Sequence, residues 1–491
     1  MIKTSHLWGG LPAVLLAMVA LPAGAQSFRV QCPTHGTSLH PLKDPTKVQS
    51  ATNSITTPGA IKCQEIGGGD GFATMGDGHQ IYLFGFAPLS GLGDGTAAAP
   101  GILSGNEGTE VPYVFESVTD SRRARIEPAD IMNQGVLYSN APAPLIAIDE
   151  DDELFLTLSN VGQIMRPDLF EQHTVHFHGY PNASSFFDGV PDASVAINIA
   201  GSFTYYYTAP DPGTYFWHCH IAPPEHLQMG MVGQLFVRPR QNKVAPGALL
   251  YTALKIANDA NGTKVGNLVP STTGSCSDIL CTGETPLPAA ITTAVRAPAG
   301  SNYAYNDGDG TTRYDVEYPI QIMGFDPSFH FVGMTFNPEA FANMKDKYFL
   351  LNGRSYPDTV SPGVLTTQGS DGTLRPSQPL PSLITLDKTS GKTRALLRIS
   401  DLSVTEHTTL ATLGIPMLVI AQNARLLRDE SGNNLYYNTN SVTLGGGEST
   451  DVILDATNIP LGRYFLYSTN LDHLSNDAEN FGGQMTEIVV Q

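Results

Sequence analysis

Positive charge is scarce in this chain. Lys and Arg number 27 against 46 Asp and Glu in 491 residues, for a formal net charge of -19. No basic stretch can track a phosphate backbone, which excludes nucleic-acid binding as a function class. Long apolar runs are missing beyond the N-terminus. There, MIKTSHLWGGLPAVLLAMVALPAGAQ sets Lys3 before an apolar stretch too short to span a bilayer comfortably, followed by Ala23-Gly24-Ala25. This is the pattern of a secretory signal cut after Ala25. It predicts a periplasmic or secreted protein with no membrane span.

Cysteine is sparse too, with five in the chain. Cys276 and Cys281 in SCSDILC can close a small loop, and Cys32 can pair with Cys63, as suits an oxidising compartment. Cys219 is left over, between two histidines.

No long helical period stands out either. VFESVT, ELFLTLSN, SFTYYYTA, GTYFWHC and VGQLFVRP read as short strands between Gly, Pro, Asn and Asp turns. With 49 Gly, 35 Pro and a hydrophobic fraction of 41%, the chain suits a loop-rich all-β fold of Greek-key sandwiches. A weak repeat supports two of them. SFTYYYTAPDPGTYFWHCH resembles STDVILDATNIPLGRYFLYST at an offset of about 240 residues, and EQHTVHFHG resembles TEHTTLATLG.

The expected organisation is a signal over 1–25, an unassigned N-terminal extension over 26–115 and a first sandwich over 116–240. A loop-rich linker over 241–315 and a second sandwich over 316–491 follow. IGGGDG and LGGGES read as turns, since neither opens a helix after a strand as phosphate binding requires. NDGDGTTRYD (306–315) lacks calcium-ligand spacing and also reads as a turn. The triplets at Asn182 and Asn261 are glycosylation acceptors only in a eukaryotic secretory pathway.

What is present in excess is clustered histidine. Of 13 histidines, six lie in HTVHFHG (173–179) and GTYFWHCHIAPPEHLQMGM (213–231). On a strand, side chains at i and i+2 share a face, so His176 and His178 converge, as do His218 and His220, while Cys219 points away from both neighbours. Two metal sites follow from that alternation. A thiolate, two imidazoles and a distant thioether are the blue-copper set, which His173, Cys219, His226 and Met231 supply. Met229 is a rival axial ligand and zinc a rival ion, but zinc explains neither the methionine nor the doubled pairs.

HTVHFHG, DGVP (188–191), GTYFWHCH and the His–Met tail resemble the cupredoxin domains of multicopper oxidases, strongly over 140–240 and weakly to the C-terminus. The resemblance implies two cupredoxin-like domains and copper as cofactor. It makes His173, Cys219, His226 and Met231 the type 1 ligands. It assigns His176 to type 2 copper and His178, His218 and His220 to type 3 copper. Cys219 would pass electrons to the flanking histidines, and Asp188 would assist proton delivery to oxygen. The same Asp-Gly dipeptide also reads as an ordinary turn.

A trinuclear cluster in that family takes eight histidines from two facing domains, and this copy has four. Aligning Gly179 with Gly414 puts Ala411 and Leu413 at His176 and His178. Aligning Gly213 with Gly462 puts Tyr467, Ser468 and Thr469 at His218, Cys219 and His220. Besides His6 in the signal stretch, the remaining His35, His40, His79, His330, His407 and His473 read as loop or sheet residues. Three functions stay open. One is an oxidase that takes electrons from a small reductant or donor protein to oxygen, its cluster completed across a homo-oligomer. The second is an enzyme resembling copper nitrite reductase, and the third is a copper electron carrier.

Overall fold

The computed structural model describes residues 61–89, 128–150, 152–179, 184–209, 211–256, 285–298, 301–330 and 341–491. The expected signal, both disulfide pairings, the glycosylation triplets, His35 and His40 lie outside the described residues. The all-β expectation agrees with what is observed: two sandwiches built almost wholly of strands.

The first sandwich is formed by β1 (Ile61–Thr74), β2 (Gln80–Pro88), a short helix α1 (Pro128–Gly135), β3 (Ile146–Asp149), β4 (Glu153–Gly162), β5 (His176–His178), β6 (Ser202–Thr208), β7 (Gly213–His218), α2 (Pro223–Gln228) and β8 (Val232–Arg238). One sheet has the order β2-β1-β4-β6 and the other β3-β8-β7-β5. Their facing side chains, among them Phe84, Leu156, Tyr205, Trp217 and Leu235, make the core. β1 and β2 come from the stretch left unassigned by sequence, so this sandwich begins well before residue 116.

IGGGDG (66–71) is not a turn. It lies inside β1, paired with β2 on one side and parallel to β4 on the other. Glycine in a strand marks close backbone approach. A Cβ at Gly69 would stand 2.6 Å from Val161, and one at Gly71 2.8 Å from the Ser139 carbonyl.

A ribbon of β9 (Asn302–Tyr303) and β10 (Arg313–Tyr314) leads into the second sandwich. The loop between them is a turn: the Asp307 carboxylate accepts from the N–H groups of Asp309, Gly310 and Thr312 and from Gln241 Nε2 at 2.7–3.1 Å. The second sandwich comprises β11 (Val316–Phe325), β12 (Tyr348–Leu351), β13 (Leu365–Gln368), β14 (Leu374–Gln378), β15 (Ile384–Leu386) and β16 (Arg394–Asp401). It continues with β17 (Thr408–Leu413), β18 (Met417–Gln422), β19 (Arg425–Leu426), β20 (Tyr437–Thr439), β21 (Ser441–Leu444), β22 (Ser449–Asp455), β23 (Gly462–Ser468) and β24 (Met485–Val490). One sheet runs β12-β11-β16-β22-β18-β19 with β20 on β18, the other β15-β24-β23-β17-β21. LGGGES is a turn between β21 and β22, as expected.

The two sandwiches meet over an apolar patch that includes Phe216, Val232, Phe325 and Leu350. Beside it lies a buried ionic group. Arg398 Nε sits 2.6 Å from Glu317, whose other oxygen is 3.1 Å from Arg238, and Asp451 lies 3.8 Å from Arg398. Burial alone would raise the Glu317 carboxyl, yet the two guanidinium groups outweigh it and hold it below the ordinary range.

Candidate metal centres

Strand alternation separates the two predicted sites. β7 ends at His218, so Cys219 turns into the core while His218 stays on the other face. Cys219, His173 and His226 are fully buried and present one donor atom each within 4.8 Å of one another. Cys219 Sγ is 3.3 Å from His226 Nδ1 and 4.0 Å from His173 Nδ1, and it accepts the Thr174 N–H at 3.4 Å. Sequence alone places His226 on a loop beyond the strand, whereas the structure places it on α2. Ala222 takes a left-handed φ of 37° just before that helix and folds it back over the cysteine. Met231 is buried in the same core, with its carbonyl accepting from Cys219 N and its own N–H donating to His226 O. Met229 caps α2 through Glu225 O.

The wall over this site is not apparent from strand period or motif. β1 and β2 supply it. A Cβ at Gly68 would stand 2.8 Å from His173 Cδ2, and the Phe84 ring lies edge-on to His226 at 5.1 Å. The outer nitrogens of both imidazoles also face polar groups: Gln163 Nε2 is 3.4 Å from His173 Nε2, and Glu171 is 3.6 Å from His226 Nε2. Such partners orient ligand imidazoles and set their basicity. Burial, then the neighbouring His226, pushes His173 well below its usual value. Burial also acts most strongly on His226, but Cys219 and Glu171 outweigh it and raise that imidazole to about 9.

On the opposite face, His176, His178 and His218 form a second donor set within 4.8 Å, which does not include His220. The His220 ring packs at 5.0 Å from His176 and 5.6 Å from His218, so four imidazoles gather although three converge. Pairing of β5 with β7 sets His176 directly opposite His218. His176 Nδ1 donates to the Asp188 carbonyl at 2.7 Å and His218 Nδ1 to the Cys219 carbonyl at 2.8 Å. Those bonds leave Nε2 of each as the lone-pair donor. Burial lowers His218 to about 3 and lowers His178 as well, so both are neutral, as ligation requires.

The Asp188 carboxylate lies 3.5 Å from His176 Nδ1 and is partly exposed. Gly189, at φ 77°, permits this fit, because a Cβ there would meet the Val175 carbonyl at 2.0 Å. From the second sandwich, the LGGGES turn covers His178, with a Cβ at Gly447 falling 3.1 Å from its Nε2. His330 is buried and bonded to the Tyr82 carbonyl, His79 pairs with Asp77 at the surface, and His407 is exposed beside Gly445. None of these belongs to either donor set.

The first set fits copper on its own chemistry. A trigonal first-row ion with bonds of about 2.0 Å to nitrogen and about 2.3 Å to sulfur spaces those donors about 3.7 Å apart. The observed 3.3 and 4.0 Å bracket that value. A thiolate with two imidazoles is a soft set that disfavours magnesium or calcium, and the affinity order favours copper over zinc.

Comparison with known proteins agrees. Residues 122–242 match the multicopper oxidase family model. The chain is 33% identical over 99 residues to multicopper oxidase MmcO of Mycobacterium tuberculosis, covering 20% of this chain and 18% of that one. It is 36% identical over 103 residues to an iron transport multicopper oxidase of Gibberella zeae, covering 20% and 15%. The chain thus spans less than a fifth of these relatives' lengths. Among solved structures, the multicopper oxidase mgLAC superposes with a TM-score of 0.50 at 16% identity, over 87% of this chain and 86% of that one, which speaks to fold alone. The segment that brings the two donor sets together is the segment that carries these likenesses: residues 122–242 are similar to a multicopper oxidase domain.

Proposed function

We propose that this protein is an exported copper oxidoreductase that draws electrons from a small reductant or donor protein at the Cys219 site and delivers them to oxygen at the histidine cluster. The observation that carries this reading is that one residue joins the two sites. Cys219 holds its sulfur between His173 and His226, while its carbonyl accepts the His218 Nδ1–H at 2.8 Å. Thiolate and second-site imidazole are therefore linked through a few covalent bonds and one hydrogen bond. His173, Cys219 and His226, with Met231 as the axial candidate, would hold a type 1 copper, which supplies reversible one-electron chemistry when bound.

The remaining residues act around that centre. Complete burial of the first donor set excludes water from it. Glu171, partly exposed and 3.6 Å from His226, links the buried imidazole to the surface. Asp188 sits beside His176 where a proton can reach the second site. No helix among the described residues is long and apolar enough to cross a membrane.

An electron carrier is the second reading, favoured by the residues that stand at the four histidine positions in the repeat, Ala411, Leu413, Tyr467 and Thr469, none of which offers an imidazole. Copper quantitation with electron paramagnetic resonance separates the two. Type 1 and type 2 signals with oxygen consumption support the oxidase, whereas a type 1 signal alone supports the carrier. A protein with no thiolate-to-copper band rejects both.

A further inference from the structure

The second sandwich reproduces the frame of the Cys219 site. β17 pairs with β23 as β5 pairs with β7: Ala411 opposes Tyr467 where His176 opposes His218, and Leu413 opposes Phe465 where His178 opposes Phe216. This register makes Ser468 the counterpart of Cys219, Thr408 of His173 and Glu406 of Glu171. Backbone hydrogen bonds extend the match past the strands. Met231 N–H donates to His226 O at 2.9 Å, and Gln484 N–H donates to His473 O at 2.8 Å. Cys219 N–H donates to Met231 O at 3.1 Å, and Ser468 N–H to Gln484 O at 2.9 Å. His473 therefore stands for His226, and Gln484 for Met231.

The side chains follow the backbone. Ser468 Oγ lies 3.1 Å from His473 Nδ1, as Cys219 Sγ lies 3.3 Å from His226 Nδ1. Glu406 is 3.1 Å from His473 Nε2, as Glu171 is 3.6 Å from His226 Nε2. Ser468, His473 and Gln484 are all buried, and the Gln484 side-chain carbonyl has no hydrogen-bond partner in the structure.

We propose that Thr408, Ser468, His473 and Gln484 form a latent type 1 copper frame that lacks only its thiolate and one imidazole. This inference rests on the type 1 reading of the Cys219 set. The serine hydroxyl keeps its proton where a thiol would release one to a metal, so the frame as it stands offers one imidazole and neutral oxygens. Glutamine is a known substitute for the axial methionine in such sites. Electron entry is then confined to the first sandwich, although the second retains the scaffold for it.

The test restores the missing donor. In a Cys219→Ser background, where the first site is silent, Ser468→Cys alone and Ser468→Cys with Thr408→His are titrated with Cu(II) and Co(II). Expected is one further metal per chain over the Cys219→Ser parent, with a thiolate-to-metal absorption band, lost when His473→Ala is added. Thr408→His inserts a large ring at a buried position, so the near-isosteric single variant with Co(II) is the deciding measurement. A single variant with the parent's circular dichroism but no such band overturns the proposal, as does a band that survives His473→Ala. The parent chain's own copper band, measured alongside, reports on Cys219 alone and keeps a failure of that reading separate.

Discussion

Gly68 lays its bare Cα against the His173 ring, where a methyl group would stand 2.8 Å from Cδ2. A ligand imidazole braced by backbone cannot turn without moving β1. Gly68→Ala is expected to shift the thiolate-to-copper band and weaken copper binding at that site by about 10–100-fold, the range for loss of a ligand's supporting contact. Visible absorption during copper titration measures it. An unchanged band and affinity would show that the wall does not orient the ligand.

Cys219→Ser should abolish the band while the protein stays folded. The cysteine is fully buried in the core, so the added hydroxyl costs about 1–3 kcal/mol of stability. Thermal unfolding monitored by circular dichroism reads that cost, and loss of cooperative unfolding would contradict it.

Two glycines of one turn should behave differently. A Cβ at Gly447, where φ is 92°, meets His178 Nε2 at 3.1 Å, whereas a Cβ at Gly445 meets the tip of exposed His407. Gly447→Ala is expected to weaken metal binding at the histidine cluster by about tenfold or more and leave the type 1 band intact. Gly445→Ala should leave both unchanged. Equal effects in a copper stoichiometry assay would mean that the turn only packs the second sandwich.

The buried ionic group between the sandwiches is expected to be costly to break. Arg398→Met leaves Glu317 and Asp451 buried with one guanidinium fewer, and removing one partner of such a group costs about 3–5 kcal/mol. Urea unfolding at neutral pH gives the value. Adding Glu317→Gln should recover part of the loss, since it removes the charge left uncompensated.

A pH-dependent term comes from Glu65 in β1, away from both metal sets. Burial raises its carboxyl to about 8, with the Ser159 hydroxyl only partly opposing. The unfolded chain ionises this group near its ordinary value of 4.5 while the folded one holds the proton. Stability is therefore unaffected below that value, falls as pH rises towards about 8, and levels off above it. Glu65→Gln should remove the decline, so its advantage over the parent grows across that window. A constant difference at all pH values would refute the assignment.

The two donor sets were legible because strand period and metal chemistry are both local. Alternation alone sent Cys219 and its flanking histidines to different faces, and the glycine alignments paired Ala411 with His176 in the register that β17 and β23 adopt. The wall was not legible. Gly67, Gly68, Gly69 and Gly71 carry no side chains, so period-two reading has little to detect, and such a glycine-rich run reads as a turn until the neighbouring strands are known. The role of His473 was hidden because its partners, Ser468, Glu406 and Gln484, are not a recognisable donor set in sequence.

The parallel seating of β1 against β4 has an implication for how this chain can be divided. The stretch that resembles its relatives, 122–242, is not a self-contained building block. Cut out at those limits, it would bare one whole edge of a sheet and leave His173 and His226 without Gly68 and Phe84. A graft, truncation or expression fragment that aims to carry the blue site must therefore begin before Ile61. Two of the four strands in one sheet of the first sandwich are contributed from outside the stretch that carries the likeness.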